Sequence, residues 1–244
     1  MKFDPESAMT QTNVTFNTRR SVRRRPKEFV CRGDMGRSIG LPAHWSSMSS
    51  HVQRVQLSPS SNEFEDVEEL FTKSISKRVK IVKIERVQNP FMWEKYQRKK
   101  DHMLAQSKED TNEKTLFHGT SPDAVEAICK QNFDWRVHGK NATTYGQGSY
   151  FALNSSYSDS YASQDDNSSQ FMFVAKVLVG SYTKGQSSYR RPPAKDPSNP
   201  ASELYDSCVD NEGSPSIFVI FDKDQFYPEY IVEYFVPGQA YCGK

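Results

Sequence analysis

Three groups of residues in this chain have types and spacing that could hold a ligand or carry chemistry. His118-Gly119-Thr120 stands at the end of a short apolar run, Thr115-Leu116-Phe117. Tyr145-Gly146-Gln147-Gly148-Ser149-Tyr150-Phe151-Ala152 is a glycine-rich turn feeding a short aromatic strand. Ser158 and Tyr161 follow on a helix predicted to start near Asn154, and their spacing of three puts them on one helical face. Each group alone has a plain structural counterpart. A strand-end histidine is more often a satisfied structural group, and lone tyrosines are more often core aromatics. The Gly146-x-Gly148 turn is not a dinucleotide fingerprint, because it lacks a third glycine and leads into a strand, not a helix.

These groups sit in a chain that alternates between helical and extended patterns. Phe64, Val67, Leu70 and Phe71 follow helical spacing. Arg78 to Val87 alternates apolar and basic residues and predicts a strand. Asn89-Pro90 supplies an N-cap and a first-turn proline for a helix through about Ser107. Thr115 to Gly119 predicts a buried strand, and Ser121-Pro122-Asp123 caps a helix carrying Val125, Ile128 and Cys129. Phe171 to Val179, Ser216 to Phe221 and Tyr230 to Phe235 predict three further strands, with a proline-marked loop from Pro192 to Pro200. The expected class is α+β with a largely antiparallel sheet.

Composition narrows the setting. The 244 residues are 36% hydrophobic but 12% aromatic, which predicts a real core diluted by polar tails and loops. The net charge of +2 does not by itself imply a nucleic-acid partner. Basic residues nevertheless crowd one stretch, Arg19, Arg20, Arg23, Arg24, Arg25 and Lys27. Cys31, Cys129, Cys208 and Cys242 have no metal-ligand spacing, so neither a zinc site nor a disulfide framework is expected. No apolar run approaches the roughly 18 residues of a membrane span, and Met1 to Pro5 opens no signal sequence. The expectation is a nuclear and/or cytoplasmic protein with no membrane partner and no metal.

Taken together and in order, His118-Gly119-Thr120, Gly146-x-Gly148-x-Tyr150-Phe151-Ala152, Ser158 and Tyr161 resemble the NAD+ site of the poly(ADP-ribose) polymerase family, the diphtheria-toxin-like ADP-ribosyltransferases. The likeness runs from about Glu63 to Phe235. Gln88 to Tyr96, Asn132 to Arg136 and Leu204 to Val209 are closest to the subgroup with WWE modules, several members of which carry CCCH zinc fingers. The resemblance implies NAD+ as substrate and protein acceptors, the chain itself included. It implies that His118 bonds a ribose hydroxyl, that the Gly119 backbone and Ser158 hold the nicotinamide carboxamide, and that Tyr161 stacks on the ring. Thr120 completes the first motif, and Tyr150 lines the other side of the pocket. These roles suit the chemistry: a carboxamide carries donors and an acceptor, and an aromatic face holds a flat cationic ring.

The third position of the family's His-Tyr-Glu set, after His118 and Tyr150, falls on Ile217, where polymer-forming members have Glu. Isoleucine cannot activate a ribose hydroxyl, so a single ADP-ribose transfer is the implied activity. Ile217 is equally at home as plain core. Two departures stand at the rim: Gln147 replaces a usual Lys, and Leu153-Asn154 replaces a basic residue followed by Asp. A second reading keeps the fold and loses the chemistry, leaving an inactive scaffold that binds protein or RNA. The expected organisation is a partial WWE-like segment at 1–30, a linker at 31–62 and a catalytic domain at 63–244. The first of these suggests ADP-ribose or RNA as a further partner.

Overall fold

A computed structural model describes residues 9–13, 18–22, 40–106, 110–138, 143–199 and 201–237. The chain divides into two compact units, Met1–Gly40 and Leu41–Lys244. In the first, β1 (Met9–Asn13) and β2 (Thr18–Val22) form a two-stranded antiparallel sheet. Arg19 and Arg20 lie on β2, while Arg23, Arg24, Arg25 and Lys27 fall outside the described residues.

The larger unit is built on a nine-stranded sheet. Its strands are β3 (Gln53–Gln56), β4 (Lys80–Gln88), β5 (Glu113–Thr120), β6 (Ser149–Ala152), β7 (Gln170–Leu178), β8 (Tyr182–Lys184), β9 (Ser207–Val209), β10 (Ile217–Ile220) and β11 (Phe226–Phe235). The spatial order is β3-β4-β11-β7-β5-β6-β10-β9-β8, and only the β8–β9 pair is parallel. Helices are α1 (Asn62–Thr72), α2 (Pro90–Gln106), α3 (Pro122–Gln131), α4 (Trp135–His138) and α5 (Ser155–Asp159). The largely antiparallel α+β expectation holds.

Strand β7 shows why the sheet has two cores. Side chains alternate across a strand. Phe173, Ala175 and Val177 therefore join one cluster, with Val125, Ile128 and Cys129 of α3. Met172 and Val174 join another, with Phe64, Val67 and Phe71 of α1. A strand covered on both faces has no polar alternation to keep, hence the continuous apolar run. A third cluster places Met92, Tyr96 and Met103 of α2 against Leu178 and Tyr227.

Asn89 ties three elements. Its Oδ1 accepts from the Met92 N–H (3.1 Å), its Nδ2 donates to the Cys129 carbonyl (3.0 Å), and its backbone N–H donates to the Tyr227 hydroxyl (3.1 Å). The N-cap expected there is present, and it also carries α3. Cys129 is buried, which pushes its thiol up to about 12 and leaves it inert as a nucleophile.

The segment expected as a linker differs. Residues from Leu41 onward belong to the larger unit, and β3 pairs with β4 from Gln53↔Gln88 to Gln56↔Glu85. Trp45 packs on Trp93 and Tyr227. The apolar residues there are isolated among serines, so no period announces a strand held by backbone pairing on one side.

Phe133, 2% exposed, follows α3 and joins the layers. Its ring meets those of His118 (4.7 Å), Phe151 (5.1 Å), Phe173 (5.3 Å) and Phe226 (5.5 Å) edge-on. Phe133→Ala is expected to cost about 3–5 kcal/mol in urea unfolding. A loss below about 1 kcal/mol would show that the ring is not the joint between these layers.

Candidate active site

The site is made by strands that part. β5 pairs with β7 along its whole length, from Glu113↔Leu178 to Thr120↔Phe171. Its other edge meets β6 only at Phe117↔Ala152. Past Phe117 the edge faces α5 and the turn that follows it. There the Ser158 hydroxyl donates to the Phe117 carbonyl at 3.0 Å. Successive residues of a strand direct their peptide groups to alternate edges. The Phe117 carbonyl faces α5, so the N–H and C=O of Gly119, two residues on, are directed to that same edge.

Glycine at this position is a packing requirement. A Cβ on Gly119 would overlap the Ser158 carbonyl and crowd the Ala162 amide nitrogen, both of them backbone atoms. The chain from Ser158 to Ala162 therefore passes directly over Gly119.

That short segment does not hold itself. Ser155 donates to the Phe71 carbonyl (2.5 Å) and shares a hydrogen bond with Ser74 (2.7 Å). Asp159 accepts from the Tyr234 hydroxyl (2.8 Å) and pairs with Lys77 (2.5 Å). The buried Gln170 amide donates to the Ala162 carbonyl at 2.7 Å. Tyr161 lies beyond the end of α5, and its N–H donates to the Ser158 carbonyl at 3.0 Å. The expected helix is thus shorter than its pattern suggested: past Asp159 the Ser160, Tyr161 and Ala162 N–H groups bond three residues back, to the carbonyls of Tyr157, Ser158 and Asp159. A tight turn still carries Tyr161 close to Ser158. Ser158 is 4% exposed and Tyr161 38%.

His118 stands at the rim of the opposite core face. Its Nδ1 bonds the Tyr150 carbonyl at 2.7 Å, and its ring leans on Phe133 and Phe151. A carbonyl accepts, so Nδ1 carries the proton, and in the neutral ring Nε2 is the acceptor. Thr120 is buried at the end of β5. The Tyr150 hydroxyl accepts from the Tyr145 N–H (2.9 Å) and donates to the Gly146 carbonyl (2.9 Å). It fastens its own glycine turn, and the ring is the part left to face a ligand. Burial is the first cause that pushes this phenol above its usual range.

Ile217 opens β10 beside Ala152 and is 7% exposed. Gln147 is held by the loop above it: its N–H donates to the Tyr189 carbonyl (2.7 Å) and its side chain to that of Ser187 (3.3 Å). Leu153 is exposed, and Asn154 is the N-cap of α5 without a side-chain cap bond. Tyr157 escaped the sequence reading. Its hydroxyl is 3.1 Å from that of Tyr161, and the only advance signal was a spacing of four.

A broad groove of about 1560 Å³ lies at the far ends of β5 and β7, beside Asn112 and Gly180, and holds none of these residues. Its rim charges largely neutralise one another, as in Lys99–Asp222 (2.8 Å) and Lys195–Glu203 (3.3 Å). It is too wide to be shaped for one small ligand.

Comparison with known proteins agrees with this geometry. Residues 61–236 match the family model of the poly(ADP-ribose) polymerase (PARP) catalytic domain. The chain belongs to this family. It is 42% identical over 240 residues to the human protein mono-ADP-ribosyltransferase PARP12, covering 93% of this chain and 34% of that protein. It is 37% identical over 253 residues to human PARP11 (93% and 73%) and 42% identical over 199 residues to human PARP14 (80% and 11%). The chain therefore spans about a third of the length of PARP12. The split sheet around β5 is the PARP catalytic domain's ADP-ribosyltransferase fold. Among the described residues, no group of three or more His, Cys, Asp or Glu is placed to hold a metal, and no helix is long and apolar enough to cross a membrane.

Backbone stands where a Gly119 side chain would go, so the strand or the Ser158–Ala162 turn must yield. Gly119→Ala is expected to cost about 1–3 kcal/mol in denaturant unfolding. An unchanged midpoint would mean that the turn is not seated on β5.

Proposed function

We propose that this PARP catalytic domain transfers single ADP-ribose units from NAD+ to protein side chains, its own included, with release of nicotinamide. One observation carries the reading. Where β5 leaves β6, the Gly119 peptide lies under the Ser158–Ala162 turn, which carries the Ser158 hydroxyl and Tyr161. A backbone N–H and C=O with one hydroxyl match the donors and acceptor of a carboxamide. A tyrosine face beside them suits a flat cation. His118, oriented by its Nδ1 bond to the Tyr150 carbonyl, is the group that the family likeness assigns to a ribose hydroxyl.

The bond broken is the C–N bond between ribose and nicotinamide. Its electrons leave with nicotinamide, which departs neutral, and the ribose carbon passes through an oxocarbenium-like state. The acceptor's nucleophile, already deprotonated as a carboxylate or thiolate is, adds to that carbon. Little proton transfer is needed at the donor, so holding NAD+ rigidly supplies much of the acceleration. Chain growth would need a base for the 2′-hydroxyl of a bound ADP-ribose, and the strand offers Ile217. The names of PARP12, PARP11 and PARP14 describe the same single transfer.

Incubation with labelled NAD+ followed by mass spectrometry tests the reading. The native chain is expected to gain discrete single adducts. His118→Ala and Ser158→Ala should each reduce labelling about 10- to 100-fold, the cost of leaving a ligand hydrogen bond unmade. Ladders of polymer would overturn single transfer. A native chain that binds but never consumes NAD+ would instead indicate a scaffold.

A further inference from the structure

Most tyrosines of the larger unit's core hold their hydroxyls to another element. Tyr227 bonds Asn89 and Val87, Tyr96 bonds Glu113, Tyr230 bonds Glu63 and Tyr234 bonds Asp159. Tyr157 and Tyr161 differ. They are 39% and 38% exposed, with hydroxyl oxygens 3.1 Å apart and ring centroids 5.5 Å apart at a 45° tilt. Two large rings remain at the surface, joined to each other.

The chain beneath them is fixed. Ser155, Asp159 and Ala162 are each held by groups from α1, its following turn, β11 or β7. The freedom left to Tyr161 is torsion about its side-chain bonds, and the Tyr157 hydroxyl closes that freedom from one side. Tyr145 and Tyr150 stand near enough to act on Tyr157 electrostatically. Burial first, then the bond to Tyr161, raise the Tyr157 phenol above its usual range, so its hydroxyl stays protonated near neutral pH.

We infer that Tyr157 is a positioning residue for the donor site: its hydroxyl holds the Tyr161 ring in the attitude that receives a flat pyridinium cation, and its own ring extends that shelf outward. The inference rests on the reading of Tyr161 as the stacking ring. A ring already held in place loses less freedom when the ligand arrives, so the benefit lies in affinity. Removing the lock should therefore raise KM for NAD+ more than it lowers kcat.

A double-mutant cycle on the full chain, read as nicotinamide released against NAD+ concentration, tests this. Tyr157→Phe keeps the ring and removes the hydroxyl. It should raise KM about 3- to 10-fold, the range of one partly exposed hydrogen bond, with an unchanged thermal midpoint. Tyr161→Phe should cost about the same, and the pair together no more than either alone, because both changes delete one bond. Tyr157→Ala should cost more than Tyr157→Phe, since the shelf goes too. If Tyr157→Phe matches the native KM, or if the two losses multiply, the inference falls while single transfer stands. If the native chain releases no nicotinamide, the reading of Tyr161 falls and takes this inference with it.

Discussion

The structure turns on a strand that is paired along one edge and released along the other. β5 is locked to β7 over its full length but touches β6 at one residue, Phe117. A strand edge released inside a sheet leaves peptide groups that need partners. Ser158 takes the first of these, the Phe117 carbonyl. The next on that edge belongs to Gly119, and on the proposed reading that peptide reads the nicotinamide carboxamide. The nine-stranded sheet with helices on both faces fixes β5, and through it the position of that peptide.

The turn that crosses β5 depends on partners far away in sequence. A five-residue helix cannot pay its own nucleation cost. It is held by Phe71 and Ser74 at one end and by Tyr234 and Lys77 at Asp159, while Gln170 holds the chain just past Tyr161. Each bond is worth only about 1 kcal/mol net. Together they anchor both ends of a segment eight residues long, Ser155 to Ala162, which is enough to keep Ser158 and Tyr161 over Gly119.

Sequence pattern reveals these elements unevenly. β7, β4 and α2 were legible because a long run buried on both faces, a basic-apolar alternation and an Asn-Pro start are local signals. β3, β8 and β9 were not, because strands of three or four residues take their stability from pairing and carry no period of their own. The site shows the same division. Residue types named His118, Gly119, Ser158 and Tyr161 as a group through family likeness, and the structure seats the turn carrying Ser158 and Tyr161 over Gly119, with His118 directed to the opposite core face. Their supports were hidden: the Gly119 contact with the Ser158 backbone and the Phe133 ring against His118 join residues from different elements, and the Tyr150 hydroxyl is turned back onto its own glycine turn. The anchoring of α5 was likewise invisible, since the partner of Asp159 is Tyr234, 75 residues away.

One carboxylate does lie near Ile217, and its surroundings argue against a role as the missing base. Asp210 accepts from the N–H groups of Ser216 (2.9 Å) and Ile217 (3.0 Å) and from the Ser216 hydroxyl (2.6 Å). Burial works to raise its pKa, but these bonds outweigh it and hold the carboxyl below its usual range. A carboxylate with a depressed pKa and occupied lone pairs is a poor proton acceptor at neutral pH. What Asp210 does is start β10 in register, whatever side chain stands at 217. The fold therefore does not need an acid at that position, and Ile217 can sit there without disturbing the donor site. On the proposed reading the consequence falls on the acceptor. With isoleucine at 217 and Asp210 occupied by Ser216 and Ile217, the acceptor must arrive already nucleophilic, as a carboxylate or thiolate does. A second ADP-ribose offers only a hydroxyl, and transfer stops at one.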